Sequence, residues 1–436
     1  MPELKPVSRT LSNGLRVVVS RDGTAPVAAV CLWYRVGSRD EPPGRTGLAH
    51  LFEHLMFQGS THVPANGHTA VIEDAGGWTN ASSGFERTTF FSVVPVGQLE
   101  LVLWLEADRM GGMLDAFSTG SLANQRDVVL NERRERYDNV PYGTGWEQLV
   151  AMSFPPGHPF HQLPVGNPEH LAAATEDDCR DFFRRHYTPD QAVLAVVGDV
   201  DPERVADLAE RHFGHIPPAA AGRWTSPPCP RAPARPAERR RHLTEPVPGP
   251  AFMAAYQLPP YGERGCLAAD LALTLLGGMS SSGLHDRLVR NEQLAYSARA
   301  SLMPLHQAPS LGQLNVRAVP DADLSVIEKT IDEELEKLTE QGVTDSSMRA
   351  ARAQIQRDWY DRLAHISSRA DELCSWEAHA GDAAALDTRL EQVRDVSAAE
   401  VRQAAADWLA PERRSVLTYQ PRPASAHAGI GRGADR

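Results

Sequence analysis

The chain has 436 residues, 42% of them hydrophobic and 23% charged, with a formal net charge of −12. That length and balance describe a globular protein of two or three domains. The acidic surplus argues against nonspecific nucleic-acid binding, which needs a basic surface. No window approaches the ~20 apolar residues of a membrane span. The opening "MPELKPVSRTLSNGLRVVVSRD" has neither a continuous apolar run nor a small-residue cleavage pattern, so it does not read as a secretory signal. Cys31, Cys179, Cys229, Cys266 and Cys374 are scattered and odd in number, which suits reduced thiols better than a disulfide framework. The expectation is a cytoplasmic protein with no nucleic-acid or membrane partner.

In chain order, the alternation over 27–36 predicts a strand. The next segment, "GLAHLFEHLMFQG" (47–59), has the apolar spacing of a core helix, yet His50, Glu53 and His54 interrupt it. Residues four apart on a helix stand one above the other, so His50 and His54 present imidazoles to one point, with Glu53 beside them. Two neutral imidazoles at that spacing are good ligands for a first-row metal, zinc above all, and a catalytic zinc takes a third protein ligand from elsewhere. Glu53 is then free to act as general base. The order H-x-x-E-H is the inverted form of a known zinc motif. "WTNASSG" (78–84) reads as a strand rich in small residues at a sheet edge, and "TTFFSVVP" (88–95) as its neighbour.

Two helical patterns follow, one around Leu99, Leu103 and Ala107 and one over 121–139. In the second, Leu122, Val128 and Val129 form the apolar face and Glu132 lies beside it. Then "DDCRDFFRRHYTPDQAVLAVVGD" gives a helix, a Tyr-Thr-Pro turn and a strand. The Pro-, Ala- and Arg-rich stretch 216–250 reads as a linker. Beyond it the order repeats. Residues 251–258 predict a strand, "LAADLALTLLGG" a helix and "DLSVIEKTIDEELEKLTEQG" a capped helix. Residues 344–376 predict one long helix or two stacked ones, and "AEVRQAAADWLAPERRSVLTYQP" repeats the helix-turn-strand unit. The chain therefore divides into 1–215, a linker 216–250, a homologous 251–420 and a disordered tail 421–436. Each half is expected to be an α+β module, an antiparallel sheet with helices packed on one face.

Together these segments resemble the M16 (pitrilysin/insulinase) zinc metallopeptidases, in the short-chain M16B branch with mitochondrial processing peptidase. The family carries His-x-x-Glu-His and, on a later helix, a Glu ligand. Here Glu132 follows His54 by 78 residues, in the family-like run "VVLNERRERYDN". "NGLRVVVSRD", "GGWTNASSGFERTTFF", "PGHPFHQLPVGNPEHL" and "RLVRNEQLAYSARA" resemble further family segments, from about residue 9 to residue 420.

The resemblance implies two homologous LuxS/MPP-like metallohydrolase domains per chain, forming half of a clamshell chamber. It implies Zn2+ held by His50, His54 and Glu132, with Glu53 as the catalytic base. The second half has Ala268, Leu271 and Ala272 where His50, Glu53 and His54 stand, so it offers no second zinc site there. The edge strand would pair with extended peptide, with Asn80 and Ala81 meeting its backbone. Phe85 either walls a side-chain pocket or belongs to the core. The family also uses an Arg/Tyr pair to hold the substrate carbonyl. Tyr296 matches the Tyr, or is an ordinary strand aromatic. The Arg position is Val289 here, with Arg290 one residue closer, so either the loop is shortened or Arg290 does not perform the role. Gln125 replaces a Glu that supports the site in relatives, and Asn131 replaces another Glu.

The expected function is a zinc endopeptidase acting on unstructured peptides or leader segments, and more narrowly on the leader of a ribosomally made peptide. It would work as a homodimer or as a heterodimer with a related subunit. The alternative is a non-catalytic structural or regulatory subunit of such a dimer.

Overall fold

The computed structural model describes residues 4–220 and 240–422. It contains two α+β modules. The first holds β1 (Val7–Thr10), β2 (Arg16–Arg21), β3 (Val27–Tyr34), α1 (Leu48–Leu55), α2 (Gly67–Asp74), β4 (Trp78–Ser83) and β5 (Thr88–Pro95). It continues with α3 (Leu99–Ala116), α4 (Thr119–Arg133), α5 (Gly145–Ser153), α6 (Pro168–Ala173), α7 (Glu176–His186), β6 (Ala192–Gly198) and α8 (Pro202–Phe213). The second holds β7 (Arg240–Glu245), β8 (Ala251–Leu258), α9 (Arg264–Leu273), β9 (Ala295–Met303), β10 (Ser310–Ala318) and α10 (Leu324–Glu336). It ends with α11 (Asp345–Ala364), α12 (Ile366–Ala380), α13 (Arg389–Asp395), α14 (Ala398–Trp408) and β11 (Arg414–Pro421).

The sheet orders are β1-β2-β6-β3-β5-β4 and β7-β11-β8-β10-β9. Each sheet is mixed rather than antiparallel throughout as expected: β2 runs parallel to β6, and β7 parallel to β11, because each of these strands is reached by a helical crossover, while the other pairs are antiparallel. The repeated unit is visible in its caps. Thr175 opens α7 and Ser397 opens α14, each with a reciprocal capping box to Asp178 or Glu400. Each helix then feeds, through a proline turn, an inner strand of its sheet, β6 or β11.

Both faces of each sheet are covered, and the second cover comes from the other module. Ala28, Val30, Leu32 and Tyr34 of β3 point into the first module's own core, under α1 and α3. The alternate residues Ala29, Cys31 and Trp33, with Val193, Ala195 and Val197 of β6, meet Leu373, Cys374 and Ala378 of α12. Reciprocally, α5 lays Leu149 against Ala251, Met253 and Leu417 of the second sheet. By chain order α5 and α12 are equivalent elements, so the modules exchange helices. The period-two alternation of a strand makes this possible, because both of its faces are apolar. The β4–β5 and β9–β10 turns also clasp: the Glu86 carboxylate accepts the backbone N–H groups of His306 at 2.9 Å and Gln307 at 2.7 Å.

Two further sequence expectations need correction. The stretch 216–250 is not linker throughout, because Arg240–Glu245 is an edge strand whose backbone pairs with β11; residues 221–239 lie outside the described residues. The helix expected over 121–139 ends at Arg133 and continues as a single wide turn, Arg134–Asp138. Of the two forms expected for 344–376, the structure has the pair of helices, broken where His365 adopts an extended backbone. Residues 423–436 of the expected tail, and Cys229, are likewise outside the described residues. The other four cysteines are buried and unbridged. No helix among the described residues is long and apolar enough to cross a membrane.

Candidate metal centre and cleft

Helix α1 is fixed by its apolar side. Leu48, Leu51, Phe52 and Leu55 are buried, and the Phe52 ring packs on Phe182, Phe183 and Tyr187 at 5.2–6.0 Å. That leaves His50, Glu53 and His54 on the opposite face. The N-terminus of α1 is held by Glu41, which accepts from the Gly47 and Ala49 amides at 2.8 and 2.9 Å. Such amides are the unpaired donors of a helix start. Gly47 has φ +96°, and Gly166 comes so close that a Cβ on it would collide with the Gly47 backbone. The loop before α6 is thereby locked against the start of α1.

Helix α4 is capped by Ser118 and anchored by the buried Leu122 and Val129. Its last turn carries Glu132 to α1. Glu132 Oε2 lies 3.6 Å from His50 Nε2 and 3.2 Å from His54 Nε2, while Glu132 Oε1 receives Arg136 at 2.6 Å. The next residue, Arg133, donates to both oxygens of Glu147 at 3.1 and 2.9 Å and to the Gly166 carbonyl at 3.1 Å. One helix end thus ties together α1, α5 and the loop before α6.

Electrostatics follow from burial. Desolvation holds the His50 pKa down at about 4, against the pull of Glu132, so the ring is neutral at neutral pH. Glu132 is held below the ordinary carboxylate range, first by its hydrogen bond with His54. Glu53 is pushed up by burial, opposed by hydrogen bonds from Ser83.

The donor set fits a divalent first-row ion. The ligand atoms of His50, His54 and Glu132 lie within 4.8 Å of one another, and they form the one such cluster among the described residues. Neutral imidazole and carboxylate are the ligand forms that such ions require. His50 Nδ1 is buried without a partner among the described residues, so it lacks the outer hydrogen bond that usually orients a ligating imidazole.

The cluster opens on a cleft of about 370 Å³ that Glu53, Ala81, Phe85, Tyr137 and Trp146 also line. Its wall β4 is the edge of the first sheet, as its small residues suggested. Ala81 lines the cleft. Asn80 is exposed, with its side-chain oxygen accepting from the Ala81 amide at 2.8 Å. Phe85 is buried and stacked on Phe160 at 5.6 Å, so it is a core ring at the cleft's margin. Gln125 is buried on α4, two turns before Glu132.

Arg290 and Tyr296 are not brought to this cleft. Arg290 pairs with Asp286 at 2.9 Å, and Tyr296 is 69% exposed on β9, the edge of the second sheet. Sequence reasoning missed Arg136, Ser83 and the Arg133–Glu147 tie. The i, i+4 spacing of Glu132 and Arg136 was a usable signal. Nothing in the sequence marked the other two.

Comparisons with known proteins agree with this construction. Residues 16–144 match the family model described as Insulinase (Peptidase family M16), and residues 173–355 match the Peptidase M16 inactive domain. The chain is 29% identical to Zinc protease PqqE of Helicobacter pylori over 358 residues, covering 82% of this chain and 80% of that one. It is 29% identical over 221 residues to the beta subunit of the mitochondrial-processing peptidase of Lentinula edodes, covering 50% and 47%. A crystal structure of a protease from Helicobacter pylori superposes with a TM-score of 0.89 at 27% identity, covering 96% of this chain and 99% of that one. Both modules are accounted for by these matches, and the chain belongs to peptidase family M16, the insulinase family.

Proposed function

We propose that the chain is a zinc-dependent endopeptidase that hydrolyses unstructured peptide segments. The observation that carries the reading is the convergence of His50, His54 and Glu132 within 4.8 Å, in a cleft that Glu53 shares. His50, His54 and Glu132 would hold the ion, which when bound supplies a Lewis acid and a polarised water. Glu53, positioned by Ser83, takes a proton as general base and returns it to the leaving amine. An extended segment pairs with β4, where Asn80 and Ala81 meet its backbone and Phe85 bounds the side-chain space. A folded protein cannot present its backbone to such an edge, so substrates are flexible segments, with the leader of a ribosomally made peptide as the narrower case.

We assign this chemistry to residues 1–215 and a supporting, metal-free role to 251–420. Arg290 and Tyr296 stand on the second module's surface, so a partner in a homodimer or heterodimer would supply the donors that hold the substrate carbonyl. Free, buried cysteines favour the cytoplasm.

The test compares the purified chain with Glu53→Gln on an unfolded peptide library, with bound zinc measured in both. The expected result is retained zinc and turnover lower by about 10²-fold or more. Equal turnover defeats the mechanism, and a chain that binds no zinc supports the non-catalytic subunit instead.

A further inference from the structure

Chain order pairs α9, β9 and α11 of the second module with α1, β4 and α4 of the first. The first set encloses the metal cleft. The second set also borders a cavity, of about 300 Å³, with a different chemistry. Arg389, at the start of α13, is 5% exposed, and its guanidinium lies over the Tyr261 ring at 4.8 Å. Among the described residues its side chain makes no hydrogen bond and no ion pair, although it lines the cavity. Asp270 of α9 lines the same space, and its carboxylate likewise has no hydrogen-bond partner among the described residues. Burial pushes the Asp270 pKa up to about 6, opposed first by Arg389, so it is still ionised at neutral pH.

Its neighbours are already satisfied. Arg362 donates to Glu372 at 2.7 Å, and Asp358 accepts from Gln354 at 2.9 Å. Arg389 and Asp270 therefore stand out as opposite charges that influence each other without touching. A guanidinium carries five donors, and those of Arg389 open on the cavity rather than on protein partners. Water could fill part of the gap. Water has no use, however, for the apolar wall that Leu302, Ile355, Trp359 and Leu390 add beside the charges.

We propose that this cavity binds a small zwitterion, a free α-amino acid or dipeptide, with its carboxylate on Arg389, its ammonium on Asp270 and its side chain against Leu302 and Trp359. The guanidinium fork matches a carboxylate in two parallel hydrogen bonds, and the volume suits a ligand of that size. The inference does not depend on the peptidase reading, since no residue of the metal cleft takes part.

Calorimetric titration of the full chain with L-leucine, glycyl-L-leucine, leucinamide and N-acetylleucine tests it. Saturable binding of leucine or glycyl-leucine is expected, weakened about tenfold or more when the carboxylate or the amine is blocked. Arg389→Met and Asp270→Asn should weaken it to the same degree. Should Arg389→Met fail to fold, the ligand series on the unaltered chain decides alone. No saturable binding at millimolar concentration, equal affinity for leucinamide, or binding unchanged in Asp270→Asn each overturns the proposal. Binding at the metal cleft would give the last of these results.

Discussion

Arg136 Nη1 lies 2.6 Å from Glu132 Oε1, so the Glu132 carboxylate is held from both sides, by the histidines at one oxygen and by a guanidinium at the other. The two holds are unequal. The Arg136 side chain is 72% exposed, and an exposed ion pair contributes about 0–1 kcal/mol. Its positive charge also opposes a cation. Arg136→Ala should therefore change zinc affinity by less than about fivefold. Glu132→Gln should lower it by about a hundredfold or more, beyond what loss of an outer partner costs. Competition with a chromogenic chelator measures both.

Two glycines of one loop make a controlled pair. Gly166 has φ +73° and faces the Gly47 backbone, whereas Gly157 has φ +84° and nothing within 4 Å. Gly157→Ala should cost about 1 kcal/mol, the strain of a left-handed backbone alone. Gly166→Ala should cost about 3 kcal/mol or more, because two backbones must also separate. Urea unfolding midpoints report the difference, and equal costs would mean the loop is not locked to α1.

Glu400 gives the acid limb of stability a defined contributor. Its hydrogen bonds with Arg264, then with Ser397, hold its pKa at about 2, below the ordinary 4.5. A depressed carboxylate stabilises the fold above pH 4.5, and that stability is lost as pH falls toward 2. Glu400→Gln should lower stability at pH 7, by less than about 1 kcal/mol for so exposed a pair. The gap to the wild type should close by about pH 2. A gap that persists there would assign the loss to something other than charge.

The exchange of α5 and α12 binds the modules into one folding unit. Leu373 is fully buried between α12 and the first sheet. Leu373→Ala should cost about 2–5 kcal/mol. Denaturation should remain a single transition for probes in both modules. Residues 1–215 made alone would lose α12, exposing Val18, Cys31, Trp33 and Ala195 on the far face of the first sheet, and should aggregate. A soluble, cooperatively unfolding fragment would refute the dependence.

The two histidines were legible because a helix turns spacing along the chain into a shared face: His50 and His54 stand apart from Leu48, Leu51 and Leu55 by position alone. Glu132 was not legible in that way. Its helix reads as a solvated surface, and only the family resemblance singled it out. Strand β7 was hidden because an edge strand at "RRHLTE" needs no apolar run; its pairing satisfies the backbone instead. The helix exchange left no local signal either. Ala370, Leu373, Cys374 and Ala378 describe a buried helix face without saying which sheet receives it.

Strand β4 carries one last implication. Its outer margin offers backbone donors and acceptors that repeat every second residue. A polypeptide docked there can slip along it only by pairs of residues without turning its other side to the wall. On the proposed peptidase reading, minor scission points in any one substrate should fall at even offsets from the major one, a ruler inscribed in the strand rather than in the substrate's composition.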